Sequence, residues 1–491
     1  MILQVHPYLE LLTHNNNSFY EKSMRRVVVI LLILFFILLS QGCDKSTHTS
    51  VPVFYGQYCN AQRTSYRDVE GLKELPNKVS WQYTLTEADE IFFITMDAPT
   101  VEENRVFMVS GSIMSCVDLD TGKEIWRKSY PDPFPPFSEF NYSPVVYEDK
   151  LIVVEGFPAA QYLAAFDKNT GELLWKSELI GNMEVNDTSR HPLIINGKIY
   201  LAASSAESYK KNKDAQAGIW VWDIETGEVL DKIFIEPVAE PVVGKYRSMF
   251  PVSVALAADG SDIYGVTQFT NDSTYRTYIF SYDTLRKKFT WFEPVGEEGF
   301  RSPGYRAQIA VDNNFVAVGM VGDQWGEPEP QFFIKVFDKT SHKPLWQNIS
   351  ETSRELNPVF TISHLAIHNG KLYAMTMDKR LACFNIETGE IVWSFKDKDW
   401  QSNWWNTWNK DENRFREHDI VISKDVVYFN VDKAIYAFDT EAGKLLWRKV
   451  VKKGHSFINM MPVDNGLIVR YQDNRAGYDM PQEPSVAELW K

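Results

Sequence analysis

Cysteine is scarce in this sequence, basic residues are outnumbered, and no apolar run is long. The chain has 4 Cys among 491 residues, and none belongs to a Cys-x-x-Cys-His haem-attachment motif. It carries 51 Lys and Arg against 65 Asp and Glu, a formal net charge of −14. Because nucleic-acid phosphates attract a basic surface, this balance argues against a nucleic-acid-binding protein.

The motifs of several common enzyme classes are also missing. The sequence contains no Gly-rich phosphate loop, no Gly-x-Ser-x-Gly nucleophile elbow and no His-Glu-x-x-His zinc motif. His364 and His368 have a spacing that suits metal binding on a helix, but they fall on a predicted strand. At ~3.3 Å per residue they would lie ~13 Å apart, so we expect no shared metal ion.

What the sequence does have is a nine-residue motif in seven copies. The copies start 47 to 60 residues apart, at Asp118, Asp167, Asp223, Asp283, Asp338, Asn385 and Asp439. A recurring unit of this size predicts a repeat architecture. The first residue can cap its own turn, and a Gly at the fifth position, such as Gly122 or Gly171, can take a positive φ. Lys287 and His342 replace this Gly in the fourth and fifth copies, which predicts longer or differently shaped turns.

The motif ends in a tryptophan in six of the seven copies. A four-stranded sheet cannot bury both faces alone, and a large flat side chain could fill the gap to its neighbour. Burying one aromatic side chain removes about 150–250 Å² of surface from water. We therefore expect a structural role for Trp126, Trp175, Trp291, Trp346, Trp393 and Trp447. The third copy has Asp231 instead, and we expect its sheet to pack differently or to be the weakest.

Each repeat contains four short runs of β-branched and aromatic residues broken by Gly, Asn and Asp, which is typical of strands and hairpins. Radial repetition of such sheets gives a β-propeller. Seven units are complete, and strand-like fragments remain at both ends, at 79–83, 459–463, Gly466–Tyr471 and Ser485–Trp490. We predict an all-β, eight-bladed β-propeller of four-stranded antiparallel blades, with the ring closed by N- and C-terminal strands. Seven blades is the alternative.

Two copies are preceded by Ala two residues before the motif, in the stretches from Ala165 to Trp175 and from Ala437 to Trp447. This pattern resembles the PQQ-like repeat, and the resemblance extends over roughly residues 79–490. The family includes eight-bladed quinoprotein dehydrogenases. It also includes the non-catalytic scaffold lipoprotein of the bacterial outer-membrane β-barrel assembly machinery. The resemblance is specific for the fold and not for the function, because one fold hosts several activities.

The enzymes of this family imply a particular set of residues. A quinoprotein dehydrogenase would need calcium-binding carboxylates, a catalytic Asp and aromatic residues around the planar cofactor, and many members carry an adjacent Cys pair. No such pair exists here: Cys116 and Cys383 each lie two residues before a motif copy, where small core residues are expected. We therefore favour a protein without a cofactor, and expect PQQ with calcium only under the enzyme alternative.

The N-terminus resembles an export signal. Arg25 and Arg26 precede 14 apolar or small residues at 27–40, and Gly42-Cys43 follows. This run is short of the ~20 residues that a membrane span needs. We expect an upstream extension and signal peptide at 1–42, a lipid-modified Cys43, a tether at 43–78 and the propeller at 79–491. Met24 is the favoured start, and cleavage at Ser40-x-Gly42 to give a soluble periplasmic protein is the alternative.

The long connections of the repeats should all share one face of the ring, because strands alternate in direction within a blade. The richest is the loop at 396–418, whose four tryptophans fall within nine residues: Trp400, Trp404, Trp405 and Trp408. Tryptophan is enriched at binding hot spots, although such a cluster can also fold down on the ring. We expect an envelope scaffold that binds a protein partner through these residues, with the outer-membrane assembly machinery as one candidate. Glycan binding and PQQ-dependent oxidation are the alternatives, and the membrane is reached through the lipid anchor alone.

Overall fold

The computed structural model describes the blades and part of the segment before them. The described residues are 53–56, 59–86, 98–110, 113–130, 143–155, 162–178, 191–204, 217–235, 247–248, 255–271, 274–295, 307–322, 331–350, 365–376, 380–397, 419–431, 434–451, 458–471 and 485–491. Every regular element in these ranges is a β-strand. Within them there is no helix that could cross a membrane.

The strands are numbered in chain order. Two precede the first complete blade, β1 (Val53–Phe54) and β2 (Val79–Thr86). Blade 1 consists of β3 (Thr100–Glu102), β4 (Arg105–Ser110), β5 (Ile113–Asp118) and β6 (Glu124–Ser129). Blade 2 consists of β7 (Val145–Tyr147), β8 (Lys150–Glu155), β9 (Tyr162–Asp167) and β10 (Leu173–Lys176). Blade 3 consists of β11 (Leu193–Ile195), β12 (Lys198–Ser204), β13 (Ala217–Asp223) and β14 (Val229–Phe234).

The fourth blade carries one additional short strand. The strand β15 (Arg247–Ser248) pairs with the second strand of blade 4, which consists of β16 (Ala255–Asp259), β17 (Asp262–Asn271), β18 (Thr274–Asp283) and β19 (Lys288–Pro294). Blade 5 consists of β20 (Ala307–Val311), β21 (Phe315–Gly322), β22 (Gln331–Asp338) and β23 (Pro344–Ser350). Blade 6 consists of β24 (Ala366–His368), β25 (Lys371–Met375), β26 (Leu381–Asn385) and β27 (Ile391–Phe395).

The last blade joins the two ends of the chain. Blade 7 consists of β28 (Ile420–Ile422), β29 (Val426–Val431), β30 (Ala434–Asp439) and β31 (Leu445–Val450). Blade 8 consists of β32 (Ile458–Val463), β33 (Gly466–Tyr471), β34 (Ser485–Trp490) and, as its outer strand, β2. The pairing of β2 with β34 is antiparallel and places Trp81 opposite Leu489. The predicted eight-bladed ring, closed by N- and C-terminal strands, is therefore confirmed.

The hydrophobic core lies between blades. Each of eight apolar clusters joins two consecutive blades, and together they run around the whole ring. Ile152 of blade 2, for example, shares a cluster with Ile199 and Trp222 of blade 3. Cys116 and Cys383 are free, fully buried thiols in two such clusters, as predicted for small core residues. Stacking of this kind buries the apolar faces that no single sheet could bury alone.

The motif turns have the predicted geometry. The Oδ1 atom of Asp118 accepts hydrogen bonds from the Thr121 amide at 2.8 Å and from its hydroxyl at 2.7 Å. These bonds, the hydroxyl bond first, hold the pKa of Asp118 below its usual value. Gly122 has a φ of +66°, and its amide donates to the Asp118 carbonyl at 2.8 Å. The Asp therefore caps the turn, and the Gly takes the left-handed conformation.

The expectation of longer or differently shaped turns at Lys287 and His342 was wrong. Both residues take the same left-handed conformation as the glycines, with φ of +51° and +61°. The His342 amide donates to the Asp338 carbonyl at 2.9 Å, as in the glycine-containing turns. Both turns therefore tolerate the left-handed strain of a non-glycine residue, about 1–2 kcal/mol.

The described part of the segment predicted to be a tether packs with the blades. The sequence places the start of the propeller at residue 79, but the chain from residue 52 onward forms one compact unit with the blades. The strand β1 extends the sheet of blade 2 by pairing with β7. A Ser- and Thr-containing composition led to the prediction of a tether, whereas backbone hydrogen bonds, which any sequence can make, attach this segment to the ring.

Candidate functional site

The propeller has two chemically different faces. The turns between the first and second strands and between the third and fourth strands lie on one of them, here called the tight-turn face. Asn196-Gly197, with φ of +51° and +70°, and Asn369-Gly370, with φ of +48° and +68°, form two of these turns. Positive φ at both central residues is typical of the two-residue hairpin turn. All the longer connections therefore belong to the opposite face, here called the loop face.

The residues predicted to bind a partner fall between β27 and β28 in the sequence, and the structure does not describe them. Trp400, Trp404, Trp405 and Trp408 lie outside the described residues, as do the predicted lipidation site Cys43 and His364. Their roles remain predictions. The structure does describe the residues on either side of the tryptophan-rich loop at 398–418.

The upstream end of this loop is attached to blade 7. The hydroxyl of Tyr436 donates a hydrogen bond to Oδ2 of Asp397 at 2.9 Å. The Arg448 side chain supports the same group, since its Nε donates to the Tyr436 hydroxyl at 3.0 Å and lies 3.9 Å from Asp397 Oδ2. Phe395 packs edge-on against Phe438 at a centroid distance of 4.9 Å. The last residues before the loop are thus held by both polar and aromatic contacts.

The downstream end is attached to blades 7 and 8. Asp419 is only 2% exposed, and its amide donates to Asn430 Oδ1 at 2.5 Å. Asn430 in turn donates from Nδ2 to the Ile458 carbonyl of blade 8 at 2.9 Å. The Met460 amide donates to Asp419 Oδ2 at 3.4 Å. A buried carboxylate and a buried amide therefore fix the point where the loop rejoins the ring.

The predicted structural tryptophans reach across to the next blade. The indole Nε1 of Trp126 donates to the Lys168 carbonyl at 3.0 Å, and that of Trp175 donates to the Ile224 carbonyl at 3.0 Å. Trp346 and Trp81 make the same bond, to Ile386 and Leu119, at 2.7 and 2.6 Å. In each case the acceptor is the carbonyl that follows the motif Asp or Asn of the neighbouring blade. These residues hold blades together and are not a ligand site.

Three motif tryptophans depart from this hydrogen bond: Trp291, Trp393 and Trp447, whose Nε1 donates instead to the Leu72 carbonyl at 2.7 Å. Trp291 stacks on the His342 ring at a centroid distance of 4.7 Å and an interplanar angle of 8°. Trp393 leaves its buried Nε1 without a hydrogen-bond partner. The equivalent acceptor beside Trp393, the Thr440 carbonyl, instead receives bonds from the Tyr373 hydroxyl at 3.2 Å and from Lys371 Nζ at 3.3 Å.

The histidines do not form a metal site within the described ranges. His368 stacks on Tyr66 at a centroid distance of 4.0 Å, and its Nε2 lies 3.2 Å from the Lys424 carbonyl. Partial burial lowers the pKa of His368. His191 is 2% exposed, and its backbone carbonyl accepts a hydrogen bond from Arg63 Nη2 at 2.7 Å. Among the described residues no three His, Cys, Asp or Glu side chains are grouped to hold a metal ion.

The sequence did not point to Arg63, which lies in the predicted tether. The side chain is 1% exposed, and Nε donates to the Leu256 carbonyl at 3.2 Å. A buried guanidinium requires such acceptors, because an unpaired buried charge is strongly unfavourable. No local pattern distinguishes this arginine from a solvated one, so only the structure could find it.

Fold and repeat define the class: the protein is an eight-bladed β-propeller built from PQQ-like repeats. A family model described as outer membrane protein assembly factor BamB matches residues 46–276 and 332–475, which is more than half of the chain. The chain therefore belongs to this family.

A relative with a different activity also matches part of the chain. The quinoprotein alcohol dehydrogenase PedH of Pseudomonas putida is 23% identical over 172 residues, which are 32% of this chain. The match covers about a quarter of that relative's length, 26%.

Solved structures resemble the protein in fold. The quinohemoprotein alcohol dehydrogenase of Comamonas testosteroni has a TM-score of 0.59 at 13% identity, over 89% of this chain and 80% of that chain. BamB from Moraxella catarrhalis has a TM-score of 0.46 at 15% identity, over 84% of this chain and 97% of that chain. At such identities a likeness establishes the fold alone, and the second score is too low to carry an argument.

Proposed function

We propose that this protein is a non-catalytic scaffold of the bacterial cell envelope that binds a protein partner through its loop face. One observation carries the proposal. The loop at 398–418 contains four tryptophans, and both of its ends are fixed to blades 7 and 8 by Asp397 and Asp419. Rigid scaffolds that hold loops at fixed ends are a common way of displaying binding residues. Family membership supports the same class of function.

Affinity capture tests the scaffold. Tagged protein would be crosslinked in intact envelopes and purified, and the wild type compared with a variant in which Trp400, Trp404, Trp405 and Trp408 are Ala. We expect a defined partner that the variant loses, because truncating central aromatic anchors removes most of the binding energy. The matched control changes four polar residues of the same loop to Ala: Gln401, Ser402, Asn403 and Asn406.

The control separates binding from folding. Both variants should melt close to the wild type, because neither changes Asp397 or Asp419. If the wild type enriches no partner over a tagged control lipoprotein, the scaffold function is refuted. A partner that both variants retain would refute binding through the four tryptophans. A four-tryptophan variant that melts many degrees lower would instead assign the cluster to packing on the ring.

Export and lipid attachment at Cys43 are part of the proposal. The supporting observation is the sequence of a charged segment, an apolar run and a small residue directly before one of only 4 Cys. Globomycin treatment of growing cells should cause an unprocessed precursor to accumulate, and Cys43→Ala should abolish membrane retention. Normal processing in globomycin would indicate the soluble periplasmic form.

PQQ-dependent alcohol oxidation is the second candidate, and the match to PedH is the observation that favours it. The described residues supply no grouped carboxylates for calcium. A fit to the cofactor would therefore depend on loop-face residues. Stoichiometric binding of added PQQ with calcium, together with dye-linked alcohol oxidation, would replace the scaffold proposal.

Glycan binding is the third candidate, because tryptophan side chains stack well on sugar rings. It would be supported by binding to a polysaccharide panel that is lost in Trp404→Ala. Absence of binding to every polysaccharide by the wild-type protein would eliminate it.

A further inference from the structure

The segment at 53–73 contacts all eight blades. The first strands of successive blades lie side by side around the axis of the ring. The described part of this segment crosses their ends at the tight-turn face. A linker that merely connects an anchor to a domain would not make contacts of this kind.

Four consecutive blades each donate one backbone amide to this segment. The amides of Ala258, Val311, Ile367 and Ile422, from blades 4, 5, 6 and 7, donate to the carbonyls of Ala61, Gln62, Thr64 and Ser65. The four distances are 2.8, 2.8, 2.9 and 2.8 Å. The segment therefore follows the ring and accepts one short backbone hydrogen bond from the first strand of each of these four blades.

The other four blades are contacted by different groups. Blade 2 pairs with β1, with Val53 opposite Tyr147. Arg67 Nη2 donates to the Val101 carbonyl of blade 1 at 3.3 Å. The Ile194 amide of blade 3 donates to the Tyr55 hydroxyl at 3.2 Å, and the Asn465 amide of blade 8 donates to the Glu70 carbonyl at 3.0 Å.

One buried arginine links the segment to two neighbouring blades. Arg63 is 1% exposed and donates to backbone carbonyls of blades 3 and 4, at His191 and Leu256. Its guanidinium lies 5.6 Å from the centre of the Tyr55 ring. Thr64 and Ser65, the next two residues, are 5% and 1% exposed. Side chains of this segment are therefore buried against the ring at its tight-turn face.

The backbone of the segment is held in an unfavourable conformation. Cys59, Arg63 and Ser65 have φ of +62°, +57° and +55°. Three left-handed non-glycine residues within seven positions are uncommon, and such a conformation persists only where surrounding contacts dictate it. Asn60 supplies part of that restraint: its Oδ1 accepts from the Thr64 amide at 3.1 Å, and its Nδ2 donates to Thr64 Oγ1 at 2.6 Å.

We propose that the described residues 53–56 and 59–73 form an axial strap that closes the propeller a second time, in addition to the pairing of β2 with β34. The stability of a repeat protein is usually a sum over neighbouring units. The axial strap adds contacts between blades that are not neighbours, so the cohesion of blades 4 to 7 depends on a segment that precedes them all in sequence. At the junction of blades 7 and 8 it also replaces the missing motif turn, because Trp447 Nε1 donates to the Leu72 carbonyl at 2.7 Å.

Hydrogen exchange on the full-length protein tests the axial strap. The variant Asn60→Ala with Arg63→Ala should increase amide exchange at least tenfold at Ala258, Val311, Ile367 and Ile422. Ile422, whose amide donates to Ser65 in blade 7, is the most informative of the four, because Arg63 is hydrogen-bonded to blades 3 and 4. The matched control is Asn104→Ala with Arg105→Ala, which removes tight-turn-face hydrogen bonds to Asp118 and Asn169 within blades 1 and 2. It should leave the four amides within twofold of the wild type.

Exchange at the four amides that stays within twofold of the wild type in the strap variant would refute the proposal, as would an equal increase in the control. If the double variant does not fold, Asn60→Ala alone provides the same readout. A second experiment places a protease site after Glu74, beside Leu75, which is 54% exposed. After cleavage the N-terminal fragment should remain bound to the ring during gel filtration, and its release from an intact ring would contradict the axial strap.

Discussion

Two junctions between blades show what the motif residues are for. Between blades 6 and 7, the Trp393 ring lies on Gly443, where a Cβ atom would be 2.3 Å from the indole. Between blades 3 and 4, Asp231 stands in place of the tryptophan and Lys287 in place of the glycine, with Nζ 3.6 Å from Oδ2. The glycine and the tryptophan are thus a pair that spans two blades. Where the tryptophan is absent, no indole ring would collide with a side chain in the motif turn of the neighbouring blade, so a residue such as Lys287 fits there.

The junction between blades 4 and 5 is intermediate. Trp291 is present, but His342 follows it, and the two rings stack. An aromatic side chain directed along the indole face can occupy a position where other side chains would collide with it. The turn geometry therefore requires a left-handed residue. Which side chain fits at that position depends on the packing against the neighbouring blade.

The largest expected effect is the loss of a motif tryptophan. Trp126→Ala should lower the free energy of unfolding by about 3–5 kcal/mol, because it leaves a cavity between blades 1 and 2 and removes the bond to Lys168. Asp231→Ala should cost no more than about 1 kcal/mol, because its ion pair is exposed. Chemical denaturation of both variants measures the difference, and equal losses would show that the third junction relies on Asp231 as much as others rely on tryptophan.

A smaller effect separates turn strain from collision with the indole. Gly443→Ala and Gly260→Ala introduce the same methyl group at nearly the same φ, +61° and +60°. Nothing lies within 4 Å of a Cβ at Gly260, so only the left-handed strain of about 1 kcal/mol applies there. Gly443→Ala should cost a further ~1–3 kcal/mol through overpacking. Identical melting temperatures for the two variants would mean that the Trp393 contact does not restrict the turn.

The third junction can be converted to the common type. Asp231→Trp alone should destabilise, because Lys287 occupies the turn onto which the indole would pack. In a double-mutant cycle with Lys287→Gly, we expect a favourable interaction free energy of at least about 1 kcal/mol between the two substitutions. Strict additivity of the two changes in thermal unfolding would argue against a pairwise rule.

The smallest effect is expected at the intermediate junction. His342→Gly removes the stacking contact, worth about 0.5–1.5 kcal/mol, and also removes left-handed strain of similar size. We expect a net change within about 1 kcal/mol by denaturant titration. A loss above 2 kcal/mol would show that the His342 ring supplies packing that glycine at the other junctions does not need.

The blades could be predicted because their signals are local. The Asp cap, the left-handed fifth residue and the terminal tryptophan lie within nine residues, and even the fragment around Trp81 identified the outer strand of blade 8. The pairing of Asp231 with Lys287 was not predicted. In the sequence, one residue replaces a motif tryptophan and the other replaces a motif glycine 56 residues later, and only the structure shows that the two positions are neighbours. The axial strap was not predicted because its backbone carbonyls accept most of the hydrogen bonds from the blades. Every residue type has such a carbonyl, so no sequence pattern indicates these bonds.

The candidate site was likewise predictable only in part. The unusual density of tryptophan between 400 and 408 is visible in the sequence. The residues that fix the ends of that loop are not, because Asp397 and Asp419 find their partners on other strands, 39 residues away at Tyr436 and 11 residues away at Asn430. Common polar residues acquire such roles only through tertiary contacts.

Blade 8 combines strands from both ends of the propeller, and this affects the order in which the ring can form during synthesis. Its outer strand, β2, is made before any complete blade, and its third strand, Ser485–Trp490, is made after blades 1 to 7. A growing chain can stack blades 1 to 7 one after another, but β2 can pair with β34 only after all seven have been made. Closure of the ring therefore requires that the chain has been made as far as β34, since a chain that stops before Ser485 leaves β2 without its partner.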